Sequence, residues 1–186
     1  MSLSELEELR WRDAVIRQKR WASNERNIKR SEWFILVDTK YKPQSAEDFA
    51  AAKAFCDGLM KDFTRELKNG TIVALNRITH AWNSEYIDSI RVRYVVELGL
   101  GKLKKDGTRG KTGGTVHIHI LLTLLHYTNM SLPYENLQLF FTQPLEYRFG
   151  KRPFIGHPRL VKGNRTEEYM EKGFERAEWN EVNVSI

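Results

Sequence analysis

The sequence predicts an α+β domain in which helices pack on a central antiparallel sheet of about five strands. Three observations point there. WFILVDT (33–39), SIRVRYVVELG (89–99) and TVHIHILLTLL (115–125) are rich in β-branched and aromatic residues and read as strands. Between and beyond them lie segments with helical apolar spacing and recognisable cap residues. Strands and helices are intermixed, with no internal repeat and no low-complexity linker to divide the chain.

Taken in order, Ser4 can cap a first helix running to about Ala22, with Leu6, Leu9, Trp11, Val15 and Ile16 as its apolar positions. Residues 1–30 are therefore expected to form a basic helical extension, and 31–186 the domain proper. The strand at 33–39 ends at Lys40-Tyr41-Lys42-Pro43. Ser45 then opens a long helix that Asn69-Gly70 stops. TIVALNRI, within 71–88, fits a strand or a continuing helix equally. A Gly/Lys-rich loop at 99–114 joins the next two strands. LPYENLQLFFTQ (132–143) has helical character, and FIGHPRLVKG (154–163) reads as a short strand with a turn. Asn164 or Thr166 can cap a last helix, EEYMEKGFERAEW.

With 186 residues, 41% hydrophobic and 29% charged, the chain can bury a sizeable core and is neither disordered nor membrane-like in composition. No apolar run approaches the roughly 18 residues of a spanning helix, and the charged start lacks a signal peptide's apolar stretch. An intracellular protein with no membrane partner is expected. The lone Cys56 fits a reducing compartment and reads as a core filler beside Phe55 and Leu59. A net charge of +6 favours a polyanionic partner. Segments 10–30 and 102–111 are basic and 167–181 is acidic, which fits docking of nucleic acid on one side.

The chemistry centres on His117-Ile118-His119. In a strand, residues two apart share a face and stand about 6.5–7 Å from one another. Both imidazoles then point one way while Val116, Ile118 and Ile120 point into the core. A bare His-x-His also occurs as two core or surface histidines. The strand ending at Glu97 adds a carboxylate: if the two strands pair, Glu97 lies near both histidines. Two imidazoles and one carboxylate leave coordination positions open, which suits Mn²⁺ or Mg²⁺ activating a phosphate and admits Zn²⁺ or Co²⁺ in vitro. Further on, Tyr169-Met170-Glu171-Lys172 places a tyrosine and a lysine on one helix face. A phenol with pKa about 10 needs a nearby cation or metal to act as a nucleophile. Of seven tyrosines only Tyr169 has a lysine three residues on.

In these motifs the chain resembles the HUH endonucleases, and more closely the replication-initiator (Rep) nuclease domains of small single-stranded DNA viruses and related replicons, including the parvoviral type. The corresponding segments are the apolar strand Phe34–Thr39, His117-Ile118-His119 with Glu97 on the neighbouring strand, and Tyr169-x-x-Lys172. The resemblance covers about residues 32–178. The first segment, FILVDT, lacks the threonine–asparagine wording common in the family.

The resemblance implies an RRM-like palm and a metal-dependent nick of single-stranded DNA or an origin hairpin. The metal would be held by Glu97, His117 and His119. Tyr169 would attack the scissile phosphate, assisted by Lys172, to leave a 5′-phosphotyrosine and a free 3′-OH. The bond energy kept in the phosphotyrosine would allow joining without ATP. It also implies a place of action in the host nucleus, should the source be a virus of a eukaryote. The basic loop, with Lys102, Lys104, Lys105, Arg109 and Lys111, is either a phosphate-contacting arm or a solvated turn. Gly110-Lys111-Thr112 resembles the end of a phosphate-binding loop, but Lys105 stands where its first glycine belongs, so no ATPase or helicase domain is expected. A replication helicase would then act from another chain.

Trp11 and Trp21 either anchor the first helix or stack on bases. His80, His126 and His157 read as structural or surface residues. The alternative function is a non-catalytic sheet that binds nucleic acid.

Overall fold

The computed structural model describes residues 8, 11–13, 28–72, 74–75, 87–99, 105, 114–127, 130–161 and 180–185. Its elements are β1 (Lys29–Asp38), α1 (Ala46–Asn69), β2 (Ala74–Leu75), β3 (Ile87–Leu98), β4 (Val116–His126), β5 (Met130–Ser131), α2 (Tyr134–Phe149), β6 (Phe154–Ile155), β7 (Arg159–Leu160) and β8 (Asn180–Ser185). The fold is α+β. The main sheet runs β6-β1-β4-β3-β8, and β7 also pairs with β1. Every pairing in it is antiparallel. β2 and β5 form a separate two-stranded sheet. Neither described helix is long and apolar enough to cross a membrane.

The period-two pattern of the strands sets the layers. Trp33, Ile35 and Val37 of β1, Ile118, Ile120, Leu122 and Leu124 of β4, and Val92, Tyr94 and Val96 of β3 are buried on one face. They form one core with Ala52, Cys56, Leu59, Met60, Phe63 and Leu67 of α1 and Leu137, Phe141 and Leu145 of α2. The α1 set recurs at helical spacing and so lines one stripe. Ser45 caps α1, its hydroxyl accepting from the Asp48 amide at 3.1 Å. Gly70 ends it in the left-handed conformation, φ 77°, with its amide donating to Leu67 O.

Three local expectations change. α2 continues through Pro144 to Phe149, although proline cannot donate to the helix ladder. Leu145 is fully buried and Phe149 stacks on Tyr41 at 4.6 Å, so packing of the last turn outweighs the missing bond. The ambiguous 71–88 region contains a short strand, β2, and the start of β3. β8 is an unforeseen strand that follows the acidic region, and it pairs with β3 from Ser89 to Tyr94. The first helix is described only at Glu8 and Trp11–Asp13, which are helical; the last expected helix lies outside the described residues.

Candidate active site on the second face of the sheet

The sheet's second face carries the alternate residues, and on it Val95 and Leu121 are buried, with Phe34 and Val161 packed against them. β4 is central, between β1 and β3, so His117 has a neighbour on each side. In register it faces Asp38 of β1 and Glu97 of β3. His119 faces Leu36 and Val95. Opposed residues in an antiparallel sheet share a face. One row therefore reads Asp38–His117–Glu97, with His119 one pleat further along. Flanked on both sides by ladder bonds, β4 holds both histidine backbones firmly.

The side chains close into two histidine–carboxylate pairs. His117 Nε2 lies 3.4 Å from Asp38 Oδ1 and 2.9 Å from Thr115 Oγ1. His119 Nε2 lies 3.1 Å from Glu97 Oε1. The two imidazole centroids are 6.0 Å apart, and the Phe34 ring sits 5.9 Å from that of His119. Asp38 is buried and also accepts from the Lys40 amide at 2.9 Å and from Lys40 Nζ at 2.6 Å. Burial works against its ionisation. The hydrogen bonds from His117 and Lys40 outweigh that effect and hold its carboxyl well below the usual range. Lys40 itself adopts φ 60°, a left-handed conformation uncommon outside glycine.

Gly99, just past the end of β3, forms the floor under His117. A Cβ there would stand 2.7 Å from each ring nitrogen of His117. Its amide donates to Thr115 O at 2.7 Å, and its carbonyl accepts from the Gly114 amide at 2.6 Å. These bonds close the strand ends around the imidazole.

The expected pairing of the Glu97 and histidine strands holds, and Glu97 contacts His119. Asp38 was not foreseen as part of this group, nor were Lys40, Gly99 and Thr115. The signal for Asp38 was available: an acidic residue ending an apolar strand, the same feature that singled out Glu97. Gly99 and Thr115 had no such signal, because their role is steric and local to a loop closure. Lys105 is described and exposed. Tyr169, Lys172, Lys102, Lys104, Arg109 and Lys111 lie outside the described residues, as does His80. His126 is buried with its Nε2 2.8 Å from Ser31 Oγ, and His157 is exposed and stacks on Tyr134 at 3.8 Å.

Two imidazoles and two carboxylates on one face are the donor chemistry of a first-row divalent ion, and in kind they fit one. In this arrangement each histidine is turned to its carboxylate. Among the described residues, no group of three or more His, Cys, Asp or Glu side chains is arranged to hold a metal ion. No protein-family model, curated protein or solved structure matches the chain.

Proposed function

We propose that this chain is a metal-dependent, tyrosine-based endonuclease and strand transferase acting on single-stranded DNA at a replication origin, of the HUH Rep type. The observation that carries the reading is the row of acid, histidine and acid across β1, β4 and β3, with His119 beside it on the same face of the sheet.

Glu97, His117 and His119 would hold Mn²⁺ or Mg²⁺, which when bound makes a phosphate more electrophilic. Asp38 and Gly99 would keep the His117 ring in place. Tyr169 supplies the nucleophile. Its phenolic oxygen bonds to phosphorus, the P–O3′ bond breaks, and the 3′ oxygen gains a proton to become a free 3′-OH. The phenol proton passes to solvent or a nearby base. Lys172 stabilises the phenolate and the charge on the phosphate. Lys102, Lys104, Lys105, Arg109 and Lys111 would contact the backbone without reading sequence.

The test is a denaturing gel of protein incubated with pooled, labelled single-stranded oligonucleotides and Mn²⁺. A slow-migrating covalent band is expected, lost in Tyr169→Phe and in His119→Ala. A band that persists in Tyr169→Phe removes the proposed nucleophile.

One observation favours a second reading, a sheet that binds nucleic acid without cleaving it: each imidazole lies against its own carboxylate, His117 on Asp38 at 3.4 Å and His119 on Glu97 at 3.1 Å. The readings separate on metal titration. Mn²⁺ raises the melting temperature under the first and leaves it unchanged under the second.

A further inference from the structure

The acid–histidine row extends one strand further. Phe154 of β6 faces Asp38 in register, so the full row is Phe154–Asp38–His117–Glu97. Phe154 is a large apolar side chain left 52% exposed. Its backbone is not loose. Tyr134 Oη donates to the neighbouring Ile155 carbonyl at 2.9 Å, and the Gly156 amide donates to Leu36 O at 2.7 Å. The Lys40 ammonium stands 5.5 Å from the centroid of the Phe154 ring while bonding Asp38. Lys40 reaches this position from its unusual left-handed backbone. A backbone outlier beside a candidate site directs attention to what its side chain is placed to do.

An aromatic ring with an anchored backbone and a half-exposed side chain can stack an unpaired base on the face away from the Lys40 ammonium, which lies over the ring. Bases present flat faces to such rings whatever their identity, and the neighbouring cation suits the adjoining phosphate. Phe154 stands two strand spacings from His117, about 10 Å. A nucleotide next to one held at the histidines falls within its reach.

We propose that Phe154 and Lys40 form a nucleobase-stacking site for a nucleotide flanking the scissile phosphate of single-stranded DNA. This rests on the endonuclease reading above. Phe154 takes the base against its ring, and Lys40 orients the ring and offers its charge to the adjacent phosphate.

The experiment measures fluorescence anisotropy with the full chain at low salt in EDTA, so that no cleavage intervenes. Two labelled probes are used: a short mixed-sequence oligodeoxynucleotide, and the same backbone carrying abasic residues. Phe154→Ala is expected to weaken binding of the first about 5- to 150-fold, the range for one lost base stack, and to leave the abasic probe unaffected. Phe154→Tyr keeps wild-type binding. Lys40→Met lowers the slope of log K against log salt by about 0.7, one phosphate contact. Tyr147→Ala is the control, since Tyr147 is 93% exposed on α2, on the other side of the sheet.

Unchanged binding in Phe154→Ala with an unchanged melting temperature overturns the stacking site. An equal loss on both probes overturns it too. An unchanged salt slope in Lys40→Met removes the phosphate contact. Parallel adduct gels keep the two ideas apart. An adduct from wild-type protein with Phe154-independent binding defeats the stacking site alone. Phe154-dependent binding without any adduct defeats the endonuclease reading alone.

Discussion

Replacing Gly99 with alanine tests the construction of the site without any assumption about its activity. The added Cβ would lie 2.7 Å from Nδ1 and Nε2 of His117. Carbon and ring atoms rest at about 3.5–4.0 Å and Cε1 of the ring is nearer still, so more than about 1 Å of movement is required. Gly99 is not in the left-handed region, so the strain arises from the contact and not from its φ. Its own backbone is tied to Thr115 and Gly114, so the imidazole is the part that yields. In doing so it gives up its contacts with Thr115 Oγ1 and Asp38 Oδ1. Overpacking of this kind costs about 1–3 kcal/mol. For a chain of this size that is a fall in Tm of roughly 2–12 °C. The decisive measurement is a double-mutant cycle by denaturant unfolding. In a His117→Ala background the ring is gone and Gly99→Ala should cost nothing, or stabilise by about 0.4–1 kcal/mol through the unfolded state. Equal destabilisation in both backgrounds, or none in the wild type, refutes the reasoning.

Two further outcomes follow from groups away from the histidines. Burial opposes ionisation of Glu32, but hydrogen bonds from Arg30 and Thr123, with the charges of Arg30 and Arg93, lower its pKa. A carboxyl with a depressed folded pKa contributes stability above its unfolded value, about 4.3, and loses it as pH falls through the folded one. Glu32→Gln should therefore lower stability by on the order of 1 kcal/mol near neutral pH. The gap to wild type should close in acid, and a gap independent of pH in urea titrations contradicts the assignment. Cys56 is fully buried, and burial, followed by the nearby Asp57 charge, pushes its thiol up to about 12. A thiol-reactive disulfide should label it only as the protein unfolds, and rapid labelling of the folded protein would show the core to be open there.

Much of the scaffold is legible in the sequence because its signals are short-ranged. Ser45 and Gly70 bracket α1 through bonds to residues three or four positions away. The alternation in TVHIHILLTLL sends Ile118, Ile120, Leu122 and Leu124 to the core, so both histidines must share the opposite face. Glu97 was singled out as a strand-end acid, and the β3–β4 ladder brings it to His117. Pro144 and β8 were misjudged for the same physical reason. A proline predicts a helix end, and six residues with two valines predict little, until packing of Leu145 or a ladder with β3 decides otherwise.

The sequence by itself determined the class of fold, the face on which the histidines stand and the helix ends, because these follow from spacing and caps within a few residues. Only the tertiary structure decided which side chains meet His117 and His119. That depends on register between β1 and β4, whose bonded residues Thr39 and Val116 lie 77 positions apart. A slip of one residue would turn Asp38 and Phe154 to the other face. The ladder through the Thr39–Val116 bond places Asp38 beside His117, Phe154 beside Asp38, and Lys40 between them. The closure of Gly99 on Thr115 then leaves room for an imidazole and for no side chain larger than hydrogen.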